Sequence, residues 1–369
     1  MQIHWMEFEN YTTGQKIERI EFERLNLLVG ESGAGKTQIL NALWRYIDIG
    51  VFNKRTIPFS GRFCMNFSVD LWENADFISP SDRFTWEVIT KHTTDFDGVA
   101  REVIDKNGQE IVWKDENRIL LNGKEVPELS TEASVLTLFQ RPHELKVIRQ
   151  NFLEFIPYAQ LGFKKETAQS IASYRDGYKK KQYVDIKKYI TRFSTLVKLD
   201  LMKFFHENLY SEFLTDVQEI FPEIENIMVD TDLSSGIYTL FIQQNGKKIS
   251  MENISSGMLK VIYIISNIDF SPNGTVVTID ELENALGVNC LDDITDFIST
   301  KAAEETHQFI LTSHHPYIIN QIPEEDWRII SQKDGVISSK RAKEVDINTS
   351  WNRQEKFFQL MNYMMRQSR

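Results

Sequence analysis

The eight residues Gly30-Glu31-Ser32-Gly33-Ala34-Gly35-Lys36-Thr37 match the pattern G-x-x-x-x-G-K-[ST] at every defined position. Glycines so placed let backbone N–H groups converge on phosphate oxygens, and the positive end of a following helix favours the same anion. In such a loop Lys36 reaches the β- and γ-phosphates of ATP, Thr37 holds Mg²⁺, and the run from Gly30 to Gln38 makes the nucleotide contact. The plain alternative is a glycine-rich connection. At ordinary Gly and Lys frequencies a random chain of this length would match about once in a hundred or less, so chance is the weaker reading.

A phosphate loop needs an acidic partner on a neighbouring strand. Thr275-Val276-Val277-Thr278-Ile279-Asp280-Glu281 has the form of a short buried strand ending in two carboxylates. The spacing puts Asp280 beside the Mg²⁺ of Thr37 and leaves Glu281 to act on the attacking water as base or orienter. Between these segments lies Asn253-Ile254-Ser255-Ser256-Gly257-Met258, directly before an apolar helical run. Ser255, Ser256 and Gly257 at a helix start would make a second anion site, although a simple N-cap has the same sequence.

Together these segments resemble an ATPase of the ABC class, closer to the soluble OLD-type, RecF-like and SMC-like ATPases than to transporter subunits. The signature L-S-x-G of that class corresponds to Ile254-Ser255-Ser256-Gly257, with Ile in place of Leu and Met258 where Gln or Glu is usual. Asp280-Glu281-Leu282-Glu283-Asn284-Ala285-Leu286 resembles the acidic strand end and D-loop, often D-E-P-E-x-x-L, with Leu282 replacing Pro. Leu311-Thr312-Ser313-His314-His315-Pro316 is similar to the switch-histidine segment. The resemblance implies that His314 contacts the γ-phosphate, that His315 fills a small-residue position, and that Gln140 touches Mg²⁺ or the water. It also implies that two copies enclose each ATP, the loop of one facing the signature of the other. A transporter motor fits poorly, because the signature follows the phosphate loop at about twice that family's usual distance. OLD-type proteins often carry a Toprim nuclease after the ATPase; only 55 residues follow His314. The expectation is therefore an ATPase subunit acting on a separate effector, such as a nuclease, in bacterial anti-phage defence. The alternative is a RecF- or SMC-like DNA-binding ATPase in repair or recombination.

The elements that must position these groups can be read coarsely. Strands are predicted over residues 3–8 and 21–29, then a helix from Lys36 with Ile39, Leu40, Leu43, Trp44 and Ile47 on one face. Residues 63–71, 83–90 and 110–121 are rich in β-branched and aromatic side chains, with turns at 105–108 and 122–123. Residues 142–221 read as helical and end at Pro222. Strands return over 224–249, with Asn245-Gly246 as the turn, and 258–268, 275–279, 289–305 and 308–311 alternate helix and strand. The predicted fold is an α/β P-loop NTPase with an ABC-like mixed-sheet core, an antiparallel β subdomain and a helical insertion. As one ATPase domain in two lobes, its core takes residues 1–60 and 260–345 and the β subdomain 60–140. The helical insertion, hairpin and signature occupy 142–258, and a C-terminal helix 346–369.

Composition narrows the surroundings. The chain has 369 residues, 41% of them apolar and 26% charged, which excludes a chain that is disordered throughout. Its net charge of −11 repels phosphate backbones and anionic membranes, so any nucleic-acid contact must be local. One basic island exists: residues 164–203 hold eleven Lys or Arg against four acids, with tyrosines interleaved, and Lys179, Lys180 and Lys181 are its DNA-contact candidates. A solvated helix face or a dock for an acidic partner is the plainer reading. Two cysteines and the lack of a signal peptide or apolar span predict a cytoplasmic protein without a membrane partner. The tail at residues 355–365 is amphipathic and is expected to pack in the core or at an oligomer contact.

Overall fold

Leu25–Val29 is buried at all five positions, the pattern of a central strand covered on both faces. The computed structural model describes residues 1–52, 59–70, 78–127, 132–139, 143–157, 163, 166–180, 186–190, 193–232, 236–345, 355 and 358–359. The chain forms two units. One comprises Met1–Pro157, Gly274–Glu281 and Lys301–Arg369; the other comprises Tyr158–Asn273 and Leu282–Thr300.

The first unit opens with β1 (Gln2–Asn10), β2 (Lys16–Glu21), β3 (Leu25–Val29) and α1 (Lys36–Val51). An antiparallel run follows: β4 (Gly61–Ser68), β5 (Phe84–His92), β6 (Asp97–Lys106), β7 (Gln109–Lys114), β8 (Ile119–Leu121) and β9 (Lys124–Val126), then α2 (Val135–Leu138) and α3 (His143–Leu153). The second unit holds β10 (Glu166–Thr167), α4 (Ala168–Lys180), α5 (Ile186–Ile190), α6 (Thr195–Phe205), α7 (Glu207–Ile220), β11 (Ile224–Thr231), β12 (Ile237–Gln244), β13 (Lys247–Ser250) and α8 (Ser256–Asp269). The chain re-enters the first unit as β14 (Thr275–Ile279), leaves it for most of α9 (Val288–Ala303), and completes it with β15 (His307–Thr312), α10 (Pro316–Gln321), β16 (Trp327–Lys333) and β17 (Val336–Arg341).

One thirteen-stranded sheet runs through the first unit in the order β14-β15-β3-β16-β17-β2-β1-β4-β5-β6-β7-β8-β9. The four strands β14, β15, β3 and β16 are mutually parallel, so their carboxyl ends share one edge. The outer flank of β14 is covered by Ile156, whose N–H donates to Val276 O at 2.9 Å and whose carbonyl accepts the Thr278 N–H at 3.0 Å. Buried Gln308 locks β15 to β1, exchanging two 2.7 Å hydrogen bonds with the Ile3 backbone. α1 covers the sheet with Ile39, Leu40, Leu43, Tyr46 and Ile47, and Tyr46 stacks on Phe63 of β4 with centroids 4.6 Å apart. Each such buried side chain contributes about 1.5–3 kcal/mol.

The mixed α/β fold expected from the sequence is present, with four differences of detail. The strand predicted over 21–29 begins only at Leu25, after a turn in which the Asn26 side chain exchanges hydrogen bonds with the Glu23 backbone, and Lys16–Glu21 is a separate strand that the sequence reading did not give. β6 escaped the sequence reading, because alternation is masked by its charged residues; Glu102 is fully buried, accepting from Trp86 Nε1, Ser134 Oγ and Val135 N at 2.7–2.8 Å. The antiparallel strands continue the core sheet through the β1–β4 pairing rather than forming a sheet of their own. Finally, most of α8 and α9, placed in the core by the sequence reading, belong to the second unit. The C-terminal helix lies outside the described residues except for Glu355, Phe358 and Gln359.

In the second unit α8 packs against α6 around a buried lysine. Lys198 is 2% exposed and donates to Asn267 Oδ1 at 2.8 Å, while Asn267 donates to the Tyr263 carbonyl. Burial lowers Lys198 from its ordinary 10.5 to about 7. The unfolded chain therefore binds the extra proton between those values, and stability rises with pH across that window. Lys198→Met should flatten this rise, by up to about 1.4 kcal/mol per pH unit, when urea unfolding of both proteins is compared at pH 7, 8 and 9.

Candidate functional site

β3 ends at Val29 and the chain turns into the glycine loop. Gly33 and Gly35 take left-handed φ values of 86° and 96°, which other residues rarely adopt. Gly30 is close-packed: a Cβ there would come within 2.5 Å of the Ile330 carbonyl oxygen on β16. Gly35 is the N-cap of α1, no side chain caps the helix, and its first turn has no acidic residue. The sixteen-residue helix thus turns its positive end to the loop with no acid of its own first turn to offset it. Lys36 Nζ folds over it, donating to the carbonyls of Gly30 at 2.8 Å and Glu31 at 2.9 Å.

β14 brings the acids to the same edge of the sheet, one strand away from β3. Thr37 Oγ1 donates to Asp280 Oδ2 at 2.9 Å and lies 3.2 Å from Oδ1. Glu281 follows with φ at 46°, a left-handed conformation that costs a non-glycine residue on the order of 1–3 kcal/mol. Thr312, fully buried at the end of β15, contacts both acids: its hydroxyl donates to Asp280 Oδ1 at 2.6 Å and accepts the Glu281 N–H at 2.8 Å.

These groups line one cavity of about 470 Å³, bounded by Gly30, Glu31, Ser32, Gly33, Gly35, Lys36, Thr37, Gln38, Asp280, Glu281, Thr312, His314 and Phe358. The sequence-predicted loop, acids and His314 thus meet in one place, with Ala34 alone among the loop residues buried away from it. His315 does not fill the small-residue position passively; its ring accepts the Tyr317 N–H and caps α10. Gln140 lies outside the described residues. Thr312 and Phe358 were not singled out by sequence reasoning. Thr312 stood in the quoted segment before His314, and a buried polar residue closing a strand next to acids was its available signal. Phe358 is 53% exposed and borders the cavity, so it does not pack in the core.

The residues fit a magnesium-bound nucleoside triphosphate. Hydroxyl and carboxylate oxygens at Thr37 and Asp280 suit Mg²⁺, which usually takes one or two protein ligands and fills its shell with phosphate and water. Among the described residues no cluster of three or more His, Cys, Asp or Glu could hold a metal alone.

The signature residues lie in the second unit. Ser255 is the N-cap of α8, its Oγ accepting the Met258 N–H at 3.1 Å; Ser255 and Ser256 are exposed, and Ile254 in the Leu position is buried. Lys260 donates to the carbonyls of Leu282 at 3.0 Å and Asn284 at 2.8 Å, and Leu282, in the Pro position, is fully buried. A Cβ on Gly257 would approach the Ala285 carbonyl oxygen to 2.7 Å. The start of α8 and the segment after Glu281 are therefore held together.

The basic island is partly committed inside the unit. Arg175 pairs with Asp200 at 2.5 Å, Lys198 is buried, and Lys203 donates to the Ile227 carbonyl at 3.1 Å. Lys179 is exposed, 5.7 Å from the Phe204 ring. Lys181 and the side chain of Lys180 lie outside the described residues. No helix among the described residues is long and apolar enough to cross a membrane.

Residues 25–320 match a protein-family model described as "AAA domain, putative AbiEii toxin, Type IV TA system", which covers well over half of the chain. The chain belongs to this family. Members of the AAA-domain family share the P-loop ATPase core, and the fold is also that of an SMC head. An SMC head bound to the C-winged helix domain of ScpA superposes with a TM-score of 0.53 at 14% identity, covering 92% of this chain and 98% of that one. The SMC head domain from Thermotoga maritima gives 0.45 at 13% identity, covering 92% and 99%. No curated protein matches the sequence significantly.

Within this AAA-domain chain, Gly257→Ala should force the α8 start and the Ala285 segment apart. The expected loss is about 1–3 kcal/mol of stability, read as a lowered thermal midpoint, with the secondary structure retained by circular dichroism.

Proposed function

We propose that this chain binds and hydrolyses ATP, and that nucleotide-dependent pairing of two copies controls a separate effector protein. The observation that carries the reading is the Thr37–Asp280 hydrogen bond inside a cavity also bordered by Lys36, Glu281 and His314. The loop amides and the α1 end bind the phosphates. Lys36 leaves the Gly30 and Glu31 carbonyls to neutralise charge between β- and γ-phosphates. Thr37 and Asp280 hold Mg²⁺, which supplies charge neutralisation on the phosphates when bound. Glu281 orients the attacking water and accepts its proton, and His314 hydrogen-bonds the γ-phosphate.

In this reading the exposed Ser255 and Ser256, with the half-buried Gly257, of a second copy close the open side of the γ-phosphate, so one chain alone turns over slowly. Gln140 takes part as a contact to metal or water. The family's description connects it with AbiEii toxins and type IV toxin–antitoxin systems, which supports a role in abortive, anti-phage defence with a separately encoded partner, a nuclease being the effector expected. The SMC head bound to a ScpA domain is a precedent in the same fold for a protein partner. A cytoplasmic setting accompanies this role. The internal pairing of Arg175, Lys198 and Lys203 weakens the reading in which the chain itself grips DNA.

Purified wild-type chain should hydrolyse ATP with a rate per chain that rises with protein concentration. Glu281→Gln should lower kcat by about 10²–10⁴-fold while retaining ATP and a dimer mass by light scattering, and Lys36→Ala should fail to bind ATP. Equal turnover by Glu281→Gln and wild type would remove Glu281 from its role. Salt-sensitive duplex DNA binding that is lost on neutralising Lys179, Lys180 and Lys181 would favour the repair reading instead.

A further inference from the structure

The two acids are not independently placed. β14 and β15 run parallel with Ile279 opposite Leu311, so the residue after each of these faces the same end of the sheet: Asp280 on one strand, Thr312 on the other. A threonine hydroxyl has one proton to donate and lone pairs to accept. The Glu281 N–H can only donate, so the Thr312 oxygen accepts there, at 2.8 Å, and its proton goes to Asp280 Oδ1, at 2.6 Å. The direction of both hydrogen bonds is thereby fixed.

We propose that Thr312 is a positioning residue that sets the metal-facing oxygen of Asp280 and the direction of Glu281 through one buried hydroxyl. This rests on the reading of Asp280 and Glu281 as the acids of ATP hydrolysis. Thr312 holds Oδ1 while Oδ2 accepts from the Thr37 hydroxyl at 2.9 Å, so the carboxylate is fixed with Oδ2 turned toward the loop residue that would share the ion. The same hydroxyl satisfies the amide of Glu281, whose φ of 46° turns the chain out of the strand and leaves the side chain exposed at the cavity. Without that acceptor the left-handed turn loses the hydrogen bond that ties its amide to β15, and Glu281 can relax toward the extended path.

The test compares Thr312→Val, which keeps the shape and loses the hydroxyl, with Thr312→Ser, which keeps the hydroxyl. Thr312→Val should lower kcat by about 10–100-fold, leave the KM for ATP within about threefold, and raise the Mg²⁺ concentration for half-maximal rate about tenfold, with Thr312→Ser near wild type. In the nucleotide-free protein, hydrogen exchange of the peptide carrying Glu281 should quicken in Thr312→Val and return in Thr312→Ser. Wild-type kcat, Mg²⁺ dependence and exchange in Thr312→Val would overturn the inference, as would equal losses in both variants, which would mark Thr312 as packing alone. A wild-type chain with neither ATP binding nor turnover would instead remove the proposed function, and this inference with it; exchange protection at Glu281 would then be structural only.

Discussion

A single hydroxyl–carboxylate contact, Thr37 to Asp280, joins segments 243 residues apart in sequence, and the rest of the site is organised around it. It exists because β14, β15 and β3 are parallel neighbours, which brings the glycine loop after β3 and the acids after β14 to the same carboxyl edge. Open α/β sheets bind ligands at that edge for this reason. A one-residue slip of β14 against β15 would send each of its side chains to the opposite face of the sheet and so turn Asp280 away from Thr37. The Gln308 side chain and the Ile156 bridge oppose such a slip from the two sides of the pair.

The parts of the site that were legible in the sequence are those in which local chemistry and local structure coincide. The glycine loop requires particular backbone conformations, and Thr275–Ile279 is an unbroken run of β-branched residues that ends in charge, so both could be read residue by residue. His314 was reached through resemblance to a known segment rather than through pattern. Phe358 illustrates the opposite case, since nothing in its neighbours along the chain says that a tail residue will arrive at the cavity, and Thr312 could be approached only through the segment that also holds His314. β6 was missed because Arg101, Glu102 and Asp105 break the apolar alternation, and a carboxylate as buried as Glu102 is intelligible only once Trp86, Ser134 and Val135 are seen to satisfy it. Charge counting misled in the same way: Arg175 and Lys198 add to the basic island in sequence but are committed to Asp200 and Asn267 in space.

The second unit has its own logic. α8 begins with exposed serines and continues as an apolar helix whose buried face meets α6, so one element carries a polar tip and a core-forming body. Lys260 and Gly257 fasten that tip to Leu282, Asn284 and Ala285, the residues that directly follow Glu281 in the chain. Few hydrogen bonds are involved, yet each ends on a backbone carbonyl, so the fastening does not depend on flexible side chains at the receiving end.

The flank of β14 has a further consequence. A terminal strand normally offers a row of open backbone groups to any passing extended segment. Here Ile156 occupies the Val276 carbonyl and the Thr278 amide, and the next residue is Pro157, which has no N–H to continue the ladder. Those two groups are closed to an added strand, which makes this border a poorer template for sheet extension than a bare strand edge.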